Sequence, residues 1–314
     1  MSKEKIAILA GGPSCEREIS LISGKAVRDA LEGLSYPVLM VDAVGDFMQK
    51  LKRERVSLAF IALHGTFGED GTVQRLLEQE RIAYTGSGPE TSQMAFDKEI
   101  SQRLFQKAGI CVPSFAILRS ASESSKKAPI DFPLVVKPTK SGSSMGVSIL
   151  KDSSGYQKAC EEAFQYSDAV IVEAYVRGRE LTVGILGQET LPVVEVIAGR
   201  EFYDYEAKYK DSGTRYEFPA QLSEAERKSV VAEAMKAYRA IQGEVMSRVD
   251  IILGRDGKPY VLEINTIPGL TPKSLLPKAA IAAGILFPEL CARIMSLSLE
   301  KVRVSSVKTS VGIR

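Results

Sequence analysis

RVDIILGRDGKPYVLEIN, residues 248–265, alternates polar and apolar side chains on both sides of Gly254-Arg255-Asp256-Gly257-Lys258. Asp256-Gly257 is a strong two-residue hairpin signal. With those two residues as the loop, Arg255 faces Lys258, which sets Asp250 opposite Glu263 and Arg248 opposite Asn265. Residues two apart on a strand share a face, so all four side chains stand together, and two carboxylates converge with an amide oxygen. Hard oxygen donors of this kind suit Mg²⁺. The plainer reading is a solvated hairpin with cross-strand ion pairs. The loop that follows, Thr266-Ile267-Pro268-Gly269-Leu270-Thr271, favours a site, because it brings backbone N–H groups beside those oxygens, as stabilisation of a developing anion requires.

Working outward, the chain divides into three segments. Residues 1–96 open with an apolar run from Ile6 to Ala10, a turn at Gly11-Gly12-Pro13, and a helix carrying Ile22, Ala26, Val27, Ala30, Leu31 and Leu34 at helical spacing. Further strands over 37–41 and 58–63 continue the alternation, which predicts an α/β domain with a mainly parallel sheet. Residues 97–180 read as a small α+β domain: a helix over 97–108, a surface loop over 120–128, and strands at 133–137, 146–150 and 169–176. Residues 181–314 begin with strands at 180–186 and 191–197, followed by a polar, aromatic-rich loop running to Tyr216. Ser223 and Glu226 form a capping box for a helix expected to stop at Gly243. The tail from Leu299 lacks periodicity and is expected to fray.

Bulk properties narrow the function. The 314 residues carry a formal net charge of +2, with 45% apolar and 25% charged residues, and the cations are scattered. That excludes a dedicated nucleic-acid binder. The four cysteines form no CxxC pair, and no stretch approaches the ~18 apolar residues of a spanning helix. The composition predicts a cytoplasmic enzyme with reduced thiols and no membrane partner.

Several loops carry possible chemistry. Lys137 ends a strand and precedes Lys140-Ser141-Gly142-Ser143-Ser144-Met145-Gly146, small residues able to wrap phosphate, although the GxxxxGK[ST] pattern is absent. Gly11-Gly12 lacks the full GxGxxG, which argues against NAD. His64 is the only histidine. As a strand-end residue it reads equally as a structural hydrogen-bonder and as a ligand at the carboxyl edge of a parallel sheet, where Glu16 also arrives. The segment 202–209, rich in aromatics, is either a packed Ω-loop or a lid, in which case Lys208 points at phosphate.

Together these segments resemble the D-alanine:D-alanine ligase family of the ATP-grasp superfamily, over about residues 5–297. The resemblance is carried by Gly11 to Ser20, Ala62-Leu63-His64-Gly65 with Gly68-Glu69-Asp70-Gly71, and Tyr84-Thr85-Gly86-Ser87-Gly88. It continues through Val136-Lys137-Pro138 with Gly142-Ser143-Ser144, Gly178 to Thr182, Tyr203 to Tyr209, Arg248-Val249-Asp250, and Glu263-Ile264-Asn265-Thr266. It implies an ATP-grasp fold of three domains, the first Rossmann-like, with a lid over about 199–216.

The resemblance also implies roles. Glu16 would bind the ammonium of a first D-alanine with His64 near its carboxylate, while Ser143 and Tyr209 join Glu16 in holding the lid shut. For ATP, it implies Lys98, Lys137, Ser144 and Lys208 at the phosphates and Glu180 at the ribose. The run Glu173, Ala174, Tyr175 and Val176 would meet the adenine edge, with Phe202 and Leu262 on its faces. Asp250, Glu263 and Asn265 would hold two Mg²⁺ ions, Mn²⁺ being acceptable. The first carboxylate would attack ATP to give an acyl-phosphate, and the second amine would attack that carbonyl while Arg248 and the Gly269 N–H stabilise the oxyanion. Ser274 and the Leu275 N–H would anchor the second carboxylate. A homodimer is implied too.

Two departures, Pro272-Lys273 before Ser274 and Gly243-Glu244-Val245-Met246-Ser247 before Arg248, are expected around the second-substrate pocket. Rival readings are a ligase taking D-serine or D-lactate second, and a nucleotide-binding homologue without turnover. Tyr209 resembles the dipeptide-forming branch.

Overall fold

Ile6–Ala10 (β1) is buried at every position, as befits an apolar run whose sheet is covered on both faces. Ile6 and Ile8 enter one core cluster while Ala7 and Leu9 enter another. The computed structural model describes residues 5–125, 127–197 and 213–311. After β1 come α1 (Arg17–Gly33), β2 (Val38–Asp42), α2 (Phe47–Arg53), β3 (Leu58–Ile61), α3 (Thr72–Gln79) and β4 (Ala83–Tyr84). The strands are parallel in the order β2-β1-β3-β4. The carboxyl ends of β1 and β3 are therefore neighbours, which is where such sheets present ligand-binding loops. α1 approaches β1 closely at Gly24, where a Cβ would stand 2.4 Å from that of Ala10. Gly24→Ala is expected to force the helix off the sheet at a cost of about 1–3 kcal/mol, read as a lower denaturant midpoint at unchanged slope.

α4 (Pro89–Phe96) and α5 (Lys98–Lys107) follow. Asp97 caps α5, its carboxylate accepting from the N–H groups of Glu99 and Ile100. β5 (Phe115–Leu118), β6 (Leu134–Pro138), β7 (Ser148–Leu150) and β8 (Val170–Ala174) form an antiparallel sheet in the order β5-β8-β6-β7, with α6 (Tyr156–Phe164) packed on it.

The third sheet runs β12-β11-β9-β13-β14 with β10 beside β9. Its strands are β9 (Gly178–Leu186), β10 (Glu189–Thr190), β11 (Val194–Ile197), β12 (Arg215–Glu217), β13 (Met246–Gly254) and β14 (Pro259–Asn265). α7 (Glu224–Ala240) covers it and starts with the expected capping box, Ser223 and Glu226 each accepting from the other's backbone N–H. That helix stops three residues before Gly243, whose N–H donates to the Tyr238 carbonyl and whose missing side chain would strike the Tyr238 ring at 2.2 Å. α5 joins the same core, with Phe105 packed among Val261 and Ile264.

α8 (Leu275–Ala282) and α9 (Phe287–Val311) complete the chain. α9 carries the tail expected to fray as helix as far as Val311. Its Leu290, Cys291, Ile294 and Met295 pack with Ile6, Ile8, Val27 and Leu31 of the first sheet and its helix. Farther along, Lys301 donates to the Gly86 carbonyl at 2.9 Å and pairs with Glu244 at 3.3 Å. Among the described residues no single helix is long and apolar enough to cross a membrane.

Candidate active site

Arg248 stands opposite Asn265 and Asp250 opposite Glu263, the pairs predicted from the alternation. The turn differs from expectation. Leu253 pairs with Pro259, and the Gly254 N–H donates to the Lys258 carbonyl at 2.8 Å, leaving Arg255, Asp256 and Gly257 as the loop. Gly257 has φ of +78°, the left-handed residue of a three-residue hairpin. The one-residue slip this introduces is reversed farther along, because Ile251 pairs with Val261 while Asp250 pairs with Glu263. Leu262 is thus the extra residue of a β-bulge. Val261 and Ile264 face the core, whereas Leu262 and Glu263, consecutive in sequence, both face the site.

Two cavities meet on this face. One, about 430 Å³, lies between the second and third sheets and is lined by Lys137, Ser144, Glu173 to Val176, Glu180 and Leu262. The other, about 620 Å³, opens toward the first sheet and is lined by Glu16, His64, Asn265, Gly269, Lys273 and Ser274. Lys98, Ser143, Arg248, Glu263 and Leu275 line both.

Electrostatics organise the shared wall. Arg248 grips Asp250 with Nε and Nη2 at 2.9 and 2.7 Å, and Thr182 Oγ1 donates to the same carboxylate at 2.7 Å. Lys98 Nζ donates to the Ser141 carbonyl at 2.7 Å and lies 3.3 Å from Glu263. It therefore ties the Ser/Gly loop to the hairpin. In that loop Ser143 and Ser144 have φ of +51° and +57°, and turns of this kind leave N–H groups available to anions. Lys137 pairs with Glu173 at 2.7 Å, both buried, and Glu173 Oε1 has no partner among the described residues. The two carboxylates with Asn265 make a donor set that fits a hard divalent cation. Asn265 Oδ1 accepts from the Ile267 N–H at 2.8 Å and keeps a second lone pair.

On the other side, Ser143 Oγ donates to Glu16. Gly65 and Gly142 make room for that carboxylate, since a Cβ on either would come within 2.6 Å of Oε2. The His64 ring is fixed by Ser23 at Nε2 (3.0 Å) and Glu69 at Nδ1 (3.3 Å), and Ser14 donates to its carbonyl at 2.6 Å. A Cβ on Gly269 would stand 2.9 Å from Ser274 Oγ, so the loop after β14 and α8 need glycine there to approach. Lys273 is exposed. Its carbonyl accepts from Lys278, whose ammonium lies 4.4 Å from the centre of the Tyr216 ring. Burial, and secondarily Lys273, pull the Lys278 pKa down.

Every described residue expected in the site lines one of the two cavities. Phe202, Lys208 and Tyr209, and most of the lid over 199–216, lie outside the described residues; Arg215 and Tyr216 belong to β12, not to a loop. Glu244 corrects one expectation. It accepts from the Gly88 N–H at 3.1 Å and pairs with Lys301, which puts that departure at the junction of the first sheet with α9 and away from the second cavity. The residue reading missed Thr182, Glu69, Lys278 and Tyr216. Thr182 was within reach, because strand alternation from Glu180 sets it on the site face.

Residues 104–296 match the family described as the D-ala D-ala ligase C-terminus, and residues 43–87 match its N-terminus. A D-alanine:D-alanine ligase of Citrifermentans bemidjiense is 45% identical, the alignment covering 96% of this chain and 98% of that one. The crystal structure of a D-alanine:D-alanine ligase from Bacillus anthracis superposes with a TM-score of 0.85 at 35% identity, covering 96% of this chain and 99% of the other. VanG D-Ala:D-Ser ligase from Enterococcus faecalis gives 0.80 at 26% identity, over 94% and 99%. With the parallel first sheet, the two further sheets and the paired cavities all in place, the chain belongs to the D-alanine:D-alanine ligase family and has its ATP-grasp fold.

Proposed function

We propose that this protein joins two D-alanine molecules at the expense of ATP, through an acyl-phosphate. The observation that carries this reading is the wall of Lys98, Arg248 and Glu263 common to both cavities, which lets a phosphate donor on one side meet a carboxylate on the other. ATP occupies the cavity of Lys137 and Leu262, its phosphates under the Ser143-Ser144 turn. Glu16 holds the first ammonium, so the first carboxylate faces the γ-phosphate. Asp250, Glu263 and Asn265 would hold Mg²⁺, which when bound would supply positive charge to offset that on the transferred group. Ser274 and the Leu275 N–H take the second carboxylate and direct its amine at the acyl-phosphate. Arg248 and the Gly269 N–H receive the oxyanion. All four cysteines are free, which suits the cytoplasm.

The test is phosphate release from ATP with and without Mg²⁺, with D-alanine, L-alanine, D-serine or D-lactate offered and products weighed by mass spectrometry. Release confined to D-alanine and Mg²⁺, with dipeptide formed, is expected. Release with D-alanine plus D-serine giving the mixed dipeptide would move the second specificity. ATP binding without release under any condition would overturn the reading in favour of a silent homologue.

A further inference from the structure

We propose that Gln102 is a positioning residue for the nucleotide cavity, holding the bulge at Leu262 in place by donation from its side-chain amide. The inference rests on the reading of that cavity as the ATP site. β14 is the edge strand of its sheet, and the slip at Leu262 interrupts the ladder on its inner side. Backbone groups released where a bulge is shielded from water need other partners. The Val261 N–H donates to the Cys111 carbonyl at 2.8 Å, and Gln102 Nε2 donates to the Leu262 carbonyl at 2.8 Å, with the Val261 carbonyl 3.5 Å away. Gln102 is completely buried. The two carbonyls beside it also fix which way the amide points, because only Nε2 can donate to them.

The same face of α5 carries Lys98, one turn earlier, which reaches Glu263. The helix thus holds consecutive hairpin residues by different means, Leu262 through its backbone and Glu263 through its carboxylate. Without a donor at position 102 the carbonyl of half-buried Leu262 loses the partner that Gln102 gives it. The strand escapes that cost by returning to regular pairing, which turns either Leu262 or Glu263 to the opposite face. Among the described residues Gln102 Oε1 has no partner, so the donor is the part of the amide in use and lysine is the replacement that keeps one.

The experiment compares Gln102→Met, Gln102→Lys and Gln102→Glu with the native protein, reading ADP affinity by calorimetry, the KM values for ATP and D-alanine, and the melting temperature. Gln102→Met, close in shape but without a donor, is expected to weaken ADP binding about tenfold and raise the ATP KM alike, leaving the D-alanine KM unchanged. Gln102→Lys is expected to stay within about threefold of native. Native ADP affinity in Gln102→Met, or equal weakening in Gln102→Lys, overturns the proposal. If Gln102→Met fails to fold, lysine against glutamate decides, and equal ADP affinities in those two overturn it. A native protein that binds ADP without releasing phosphate ends the ligase reading and leaves this comparison intact, whereas one that binds no ADP ends both.

Discussion

Arg248→Ala is expected to lower turnover about 10²- to 10³-fold with ADP affinity close to native, the loss associated with removing one preorganised oxyanion donor. The guanidinium is nearly buried and held on both oxygens of Asp250, so its position is fixed before substrate arrives. A donor already in place needs no reorganisation as charge develops. Arg248→Lys should recover little, because an ammonium cannot reproduce the two-point contact that orients the group. Steady-state kinetics beside ADP calorimetry makes the distinction: native turnover in Arg248→Ala removes the residue from the oxyanion role, and loss of ADP binding in step with turnover reassigns it to the nucleotide.

Lys137→Met is expected to destabilise the protein by about 3–5 kcal/mol, the penalty for leaving one member of a buried ion pair alone. Glu173 is 2% exposed and its Oε1 already lacks a partner among the described residues. With the lysine gone, the carboxylate loses its cation at 2.7 Å. A double replacement, Lys137→Met with Glu173→Leu, should regain most of that stability, since the buried charge disappears with its partner. ADP affinity should not return if Lys137 is the cation proposed for the phosphates. Denaturant unfolding and calorimetry on the single and double variants separate the two effects. Equal stability of Lys137→Met and native protein would show that water reaches Glu173.

The sequence is most legible where one interaction dominates. The run from Ile6 to Ala10 is buried on both faces, and the Ser223–Glu226 box is a purely local device. The hairpin shows how correct pairing at one end can follow from an incorrect turn at the other. The loop holds three residues where two were expected, and the extra residue at Leu262 cancels the shift before Asp250 is reached. Nothing in the pattern marks that bulge, because it is stabilised from another element by Gln102. α9 escaped for a related reason: its apolar residues answer to the first sheet, α1 and α8, and no single stripe emerges. Glu244 precedes Arg248 by four residues yet pairs with Gly88 and Lys301, a placement that no local pattern marks.

The packing of α9 has a bearing on how the molecule is made. Ile6 and Ile8 leave the ribosome long before Leu290, Ile294 and Met295, which form part of their cover. At elongation rates of about 5–20 residues per second, that face of the first sheet waits many seconds for its final layer. During synthesis it is an exposed apolar surface of the kind that recruits chaperones or self-associates. A nascent chain arrested before α9 emerges should be far more prone to aggregate than the finished protein, even though every residue expected in the active site has by then been made.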